Sequence, residues 1–355
     1  MKLRGGRRAV PSPPPPVTKT RMTAFPRSCA LAAACLALAL ATTAQTDRVF
    51  AAHSFCYTPI PADAPLHTNS AKFVAEFLRQ KQAYYGTVSI NTRAYAAPVY
   101  VVGSNLPTVA VSHWDRQQKG YRDKRLEAQW QAVPIPDYAE PADGTDAELV
   151  VWQPATDRMW EFWLTRKTNG VWQACWGGGM EHVSQNPGIW PDHYGTTATS
   201  LPFLGGQLSV AEVRRGEIRH ALGIALVDLE HWNIISWPAT RSDAWNPQHV
   251  PNRIPEGLRF RLDPSVDVDA LQLHSVGKLI AKAAQKYGFV VWDKGGGITL
   301  RAENPKAYTL RGEQDPWPEL FQGKPAWSIL SGFPWDKLQF LPMDYGKPGG
   351  MTRGE

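Results

Sequence analysis

The sequence predicts a mainly β fold, a β-sandwich or jelly-roll-like body carrying about three short-to-medium α-helices. Short apolar or alternating runs recur with Gly, Pro, Asn and Asp between them, the signature of strands joined by tight turns. Apolar stripes at helical spacing are few, and strands and helices do not alternate in the βαβ rhythm of a parallel sheet. No internal repeat or linker divides residues 45–345, which read as one β-rich globular domain with 346–355 as a loose tail.

Residues 1–44 stand apart from that domain as a secretory signal peptide. They hold seven Lys or Arg and no acid, pass through an apolar run at 29–41, and end in Ala41-Thr-Thr-Ala44. A basic segment, a short apolar segment and small residues at the cleavage point are the marks of such a leader. The apolar run is too short to span a membrane. Met22 is an alternative start, which would leave the proline stretch 11–16 outside the working chain.

The first regular element is a helix that Ser70 caps and Gly86 ends, with Phe73, Val74, Phe77, Leu78, Tyr84 and Tyr85 on one stripe. Apolar runs at 88–90, 97–102 and 108–112 read as strands. The charged segment 116–131 reads as a solvated loop or short helix, and 133–136 and 141–144 as proline-punctuated connectors. Runs at 147–152, 159–166 and 171–176, separated by Pro154-Ala-Thr-Asp157 and Lys167-Thr-Asn-Gly170, read as a three-stranded meander. The Gly-rich stretch 177–206 reads as irregular. Ser209-Val-Ala-Glu212 is a capping box with Leu208 and Val213 as its staple, and Gly216 closes that short helix. Strands follow at 217–227, where Ile218, His220, Leu222, Ile224 and Leu226 share a face, and at 258–262. A helix over 275–287 ends at Gly288, and 289–292 with 298–302 read as a hairpin around Asp293-Lys-Gly-Gly-Gly297.

The formal net charge of +6 would ordinarily raise nucleic-acid binding. Thirty-eight Lys and Arg oppose 32 Asp and Glu, but seven of those bases belong to the leader. The remainder is nearly neutral with scattered bases, so nucleic acid is excluded as a partner. Cys29 and Cys35 leave with the leader, and the remaining pair, Cys56 and Cys175, predicts one disulfide in an exported protein. Closing that loop would stabilise the fold by up to roughly 4–5 kcal/mol in the chain-entropy model. The alternative is a pair of thiols buried as small apolar groups.

Fifteen tryptophans, all beyond the leader, are the feature closest to chemistry. Indoles stack on the flat C–H faces of sugars, and they also fill large cores. In Met159-Trp-Glu-Phe-Trp-Leu164 the residues Trp160, Phe162 and Leu164 form an apolar face, and Glu161 shares the opposite one with Met159 and Trp163. A carboxylate on aromatic surface has its pKa raised, as glycosidase general acids require. Hydrolysis needs a second carboxylate, for which Glu181, Asp192, Asp243 and Asp293 are the candidates. His220 is a further catalytic candidate, or a buried histidine with a backbone or carboxylate partner. Arg259 and Arg261 either hold an acidic sugar bidentately or pair with Asp263 and a neighbouring strand. The run Trp237-Pro-Ala-Thr-Arg-Ser-Asp243 offers Trp237 for stacking and Arg241 for charge in a loop. No zinc helix, nucleophile elbow, phosphate loop or dinucleotide fingerprint is present, and the histidines have no ligand spacing. Neither a metal site nor a cofactor is expected.

Residues from about 133 to 303 resemble a family of uncharacterised secreted bacterial proteins. The resemblance rests on Val133-Pro-Ile-Pro136, the 149–163 segment with its strand Glu, Leu201-Pro-Phe-Leu-Gly205, Gly216-Glu-Ile-Arg-His-Ala-Leu222, Trp237-Pro-Ala239, Gly257-Leu-Arg-Phe-Arg-Leu262, and Lys286-Tyr-Gly288 with Asp293. It implies secretion and a common fold, and it lends weight to Glu161, His220, Arg261 and Asp293. Tyr194-Gly-Thr-Thr-Ala-Thr-Ser200 departs from the family's pattern.

These readings lead to a secreted carbohydrate-active protein, a polysaccharide hydrolase or lyase with Glu161 as acid/base and His220 and Asp293 beside it. Trp163, Trp237, Arg241, Arg259 and Arg261 would hold the substrate. The alternative is a noncatalytic protein that binds carbohydrate or the cell envelope. The expected partner is a polysaccharide or cell-envelope glycan, without stable membrane insertion. The glycan, the oligomeric state and the choice between periplasm and medium are left open by the sequence.

Overall fold

The apolar runs pair into three sheets in the computed structural model, which describes residues 48–349. The signal-peptide reading of 1–44 and the last part of the tail, 350–355, lie outside the described residues. The strands in chain order are β1 (Ser89–Asn91), β2 (Val99–Val101), β3 (Val111–His113), β4 (Leu149–Gln153), β5 (Arg158–Trp163), β6 (Arg166–Thr168) and β7 (Val171–Ala174). They continue with β8 (Trp176–Glu181), β9 (Leu222–Leu226), β10 (Arg259–Leu262), β11 (Phe289–Lys294), β12 (Thr299–Arg301) and β13 (Leu338–Phe340). The main sheet has the order β1-β12-β9-β11-β10-β13, a second β2-β4-β5-β8, and a third β3-β7-β6.

All three sheets are mixed and helices accompany them, so the strand-rich fold that the sequence predicts is a mixed α/β architecture rather than a clear β-sandwich or jelly roll. The pairs β1–β12, β9–β11, β2–β4 and β3–β7 are parallel. Parallel neighbours need long crossovers, and here those crossovers include helices and irregular segments too varied to register as a βαβ rhythm. The predicted hairpin of β11 with β12 is not formed, because β9 lies between them, parallel to one and antiparallel to the other. The meander is likewise divided. β4 and β5 pair as expected, but β5 goes on to β8 while β6 and β7 form a hairpin of their own.

Helices cover one face of the main sheet. The first, α1 (Ser70–Ala83), buries Phe73 and Phe77. Its cap differs from expectation: the Ser70 hydroxyl instead accepts the Phe340 N–H of β13 at 2.9 Å. Short helices follow at α2 (Lys124–Gln129), α3 (Phe203–Gly206) and α4 (Val210–Arg215), the last with the predicted capping box and Gly216 at its end. The amphipathic α5 (Ser275–Lys286) buries Val276, Ile280, Ala281, Ala283 and Ala284. These side chains join Phe260, Phe289, Val291, Leu222 and Ile224 of the sheet in one apolar cluster. On the opposite face Val290 and Trp292 of β11 join a second cluster with Phe203, Trp160, Trp190 and the β4–β5 core. Among the described residues no helix is long and apolar enough to cross a membrane.

Much of the tryptophan is accounted for by this second cluster, where indoles lie flat on glycine backbone. A Cβ on Gly223 would come 2.2 Å from the Trp292 ring, and one on Gly178 would come 2.9 Å from Trp190. Such contacts admit only hydrogen at those positions, so β8 and β9 carry glycine where propensity disfavours it. Gly223→Ala is therefore expected to destabilise the fold by about 2–3 kcal/mol through overpacking, read as a lower urea midpoint with an unchanged slope.

Candidate functional site

The exposed end of β11 is where the main sheet meets the two smaller ones. The β9–β11 register shifts between Val291 and Asp293, a bulge of the kind that re-aims a side chain. It sends Trp292 into the core and Asp293 into a cleft of about 510 Å³. The far wall is built from the smaller sheets, with Trp163 at the end of β5, Trp176 at the start of β8, and His113 and Trp114 at the end of β3. A second cavity of about 820 Å³, edged by Tyr85, Tyr95 and Trp327, shares Asp146, Asp243 and Lys294 with the first.

The cleft floor is rich in carboxylates. Asp146, Glu148, Asp243 and Asp293 line it, and a carboxylate oxygen of the fully buried Glu256 lies within 4.8 Å of oxygens of both Asp243 and Asp293. Arg301 is the counter-charge below: 4% exposed, it holds Asp293 at 2.6 Å with its guanidinium 5.1 Å from the Phe203 ring and 5.6 Å from Trp292. Arg241 donates to the carbonyls of Gly195 at 3.0 Å and Thr197 at 2.7 Å. Lys294, exposed, stands where the two cavities join.

Backbone geometry places Asp146 and Glu148. Between them Ala147 has φ +44°, and the Leu164 and Thr165 N–H groups hold the Asp146 and Ala147 carbonyls at 2.7 and 3.1 Å. A left-handed alanine costs roughly 1–2 kcal/mol, and strain of this kind clusters at functional sites. Burial pushes the Glu148 carboxyl up to about 7 against the Arg301 charge, and its Oε2 has no hydrogen-bond partner. Burial and the nearby Asp293 raise Asp146, which the Trp163 indole opposes by hydrogen bonding. Burial and Asp243 push Glu256 up to about 8, and neither of its oxygens is in a hydrogen bond of normal geometry.

Of the residues that the sequence singles out, Asp293, Trp163 and Arg241 meet at this cleft, and Asp243 joins them from among the second-carboxylate candidates. Glu161 does not. It is 0% exposed because the 188–201 loop covers its face of β5, and it accepts Trp190 Nε1 at 3.1 Å, Thr196 Oγ1 at 3.0 Å and the Phe203 N–H at 2.7 Å. A carboxylate so enclosed holds the loop and α3 to the strand and has no path to a substrate. Arg259 is buried on the Tyr287 carbonyl at 2.8 Å, and Arg261 binds Gln339 and the carbonyls of Pro61 and Ala62. Neither arginine reaches the cleft lining, nor does Trp237, which packs edge-on to Phe55. Glu181 pairs with Arg158 and Asp192 lies 3.8 Å from Arg125.

The expected disulfide is absent. Cys56 is a buried free thiol whose pKa burial pushes up to about 11, and Cys175 donates its S–H to the Trp114 carbonyl at 2.7 Å. The two thiols belong to different surroundings, one under Gly188 and Gly205 and the other on the cleft wall.

His220 takes the buried, paired form: Nε2 meets Glu212 Oε1 at 3.0 Å and Nδ1 faces the Ala221 carbonyl at 2.8 Å. Burial opposes both charges, yet the pairing prevails, holding Glu212 down at about 2 and raising His220 despite the Arg215 charge. The lowered carboxyl stabilises the fold above its unfolded pKa and loses that effect as pH falls through about 2. The raised imidazole stabilises it below its unfolded pKa and loses that effect as pH rises through the folded one. Glu212→Gln keeps the capping box and removes the charge, so its cost in urea unfolding is expected to be larger at pH 5.5 than at pH 9, by about 1–2 kcal/mol.

Glu148, Glu256 and Arg301 are the site residues that sequence reasoning missed. The signal available for Glu148 and Arg301 was a charge inside a predicted apolar strand, at 147–152 and at 298–302. Glu256 gave none, standing in an ordinary Pro-Glu-Gly turn. Comparison of the chain with protein-family models, curated proteins and solved structures finds no match in any of the three.

Proposed function

We propose that this protein is an exported enzyme that cleaves a polysaccharide in the cleft between the β11 end and the smaller sheets, by hydrolysis or lyase chemistry. The observation that carries this reading is one cleft lined by the carboxylates Asp146, Glu148, Asp243 and Asp293 together with the indoles of Trp114, Trp163 and Trp176, with Glu148 itself buried. Stacking on those rings would orient a sugar. Glu148, with its pKa near neutrality, supplies the proton for the leaving oxygen, and Asp146 beside it serves as base. Lys294 and Arg241 are available to an acidic sugar group. The leader supports export, as does the resemblance to secreted bacterial proteins.

The test is a screen of the mature protein on a polysaccharide panel for new reducing ends and for unsaturated ends. Product from wild type supports the proposal, while binding without product from any member of the panel overturns it. For a cleaved substrate, Trp163→Ala is expected to raise KM by roughly tenfold, about 1.4 kcal/mol of lost stacking. A noncatalytic binder is favoured by a different surface, where exposed Trp232 and Trp245 flank His231 at ring-centroid distances of 5.3 and 5.6 Å. Under that reading Trp245→Ala removes binding and the cleft variants do not.

A further inference from the structure

We propose that Asp243, Glu256 and Asp293 form a binding site for a hard divalent cation of the calcium class. Their carboxylate oxygens all lie within 4.8 Å of one another. That is the span of two oxygens on opposite sides of an ion at roughly 2.4 Å, the ordinary calcium–oxygen distance. Three different parts of the chain supply the ligands: the loop after Thr240, the turn before β10, and the bulged end of β11.

The second observation is Glu256. It is 0% exposed, its carboxylate belongs to the cluster with the other two acids, and neither of its oxygens is in a hydrogen bond of normal geometry, although the Ser242 hydroxyl and the Asp243 backbone are near enough to favour its charged form. A buried carboxylate ordinarily has its lone pairs satisfied, and here the space toward the other acids is where a partner would sit. The backbone fixes that aim. Gly257, next in the chain, has φ +83°, a Cβ there would stand 1.7 Å from the Ser236 carbonyl, and its N–H bonds to the Val291 carbonyl at 2.7 Å. The same strand thus carries both Glu256's anchor and, two residues on, Asp293.

Charge agrees with this. The acids Asp146, Glu148, Asp243, Glu256 and Asp293 outnumber the bases Arg241, Lys294 and Arg301 around the floor, an acidic excess that a bound cation would offset. The ion would also tie residues 227–258, which contain no helix or strand, to the main sheet. Carboxylates as the only side-chain ligands, with no Cys or His among them, favour calcium over zinc or copper.

The inference does not depend on the glycan reading, since cation binding is measured without a substrate. Terbium(III), a calcium surrogate, is titrated into the intact chelator-treated protein and read by luminescence sensitised by the cleft indoles. The expected result is saturable luminescence that calcium competes away, with a rise in melting temperature on adding calcium. Asp243→Asn, at an exposed position, is expected to weaken calcium binding by tenfold or more, and Glu256→Gln by at least as much, with near-ultraviolet circular dichroism unchanged for Asp243→Asn. Absence of saturable binding to wild type overturns the proposal. Binding that Asp243→Asn leaves at wild-type strength overturns it as well, whatever the behaviour of Glu256→Gln.

Discussion

Glu148→Gln is expected to lower kcat on any cleaved glycan by about 10²–10⁴-fold, the usual worth of a positioned acid or base. The same substitution is expected to make the protein harder to unfold at neutral and alkaline pH. The two effects have one cause. Burial raises the Glu148 carboxyl from 4.5 to about 7, so the folded state holds a proton that the unfolded state releases. For a carboxyl raised in this way, stability is lost as pH climbs from the unfolded toward the folded value. Glutamine keeps the shape, cannot ionise, and removes that loss, a gain on the order of 1–3 kcal/mol above pH 7. A merely structural Glu148 would show the stability gain with activity intact. In wild type, activity that depends on protonated Glu148 falls as pH rises through about 7, and a pH–rate profile checks this limb.

Arg301→Met is expected to cost about 3–5 kcal/mol, the penalty of leaving a buried ion pair with one partner. Arg301 contacts Asp293 directly, and its charge also bears on Glu148 and Asp146 from beneath the cleft. Methionine fills much of the same volume between Phe203 and Trp292, so lost packing is the smaller part. The expected observation is a large fall in urea midpoint, mostly recovered in the double variant with Asp293→Asn, where the orphaned charge is gone. A double-mutant cycle with additive costs would show that the pair is not coupled. The cycle bears on the electrostatic floor of the cleft whether or not a glycan is the substrate.

Local signals were legible in the sequence where the chain satisfies its own needs. The Ser209–Glu212 capping box, the apolar stripe of α5 and the Leu258-Arg-Phe-Arg-Leu262 strand depend on residues within one or two turns, and they form close to where the pattern puts them. Pairing partners were not legible, because nothing in β11 or β12 says that β9 will slip between them. Strand β8, Trp176–Glu181, was hidden by its three glycines, which the Glu161 carbonyl against Gly177 and the indoles of Trp190 and Trp160 against Gly178 and Gly179 explain. Glu161 misled for a related reason. Alternation put it on the face opposite the apolar one, but that face is not solvent, because the 188–201 loop returns over it. The cleft itself joins residues from 113 to 294, and of its floor only Asp243 and Asp293 could be picked out by residue type beforehand.

The most direct test of the cleft as the place where a glycan is cleaved is a crystal structure of Glu148→Gln with an oligosaccharide drawn from a polysaccharide that wild type degrades. The expected density is a sugar ring stacked on Trp163 or Trp176, with a glycosidic oxygen within hydrogen-bond reach of residue 148. Density confined to the Trp232 and Trp245 surface, with the cleft holding no sugar, would contradict the assignment.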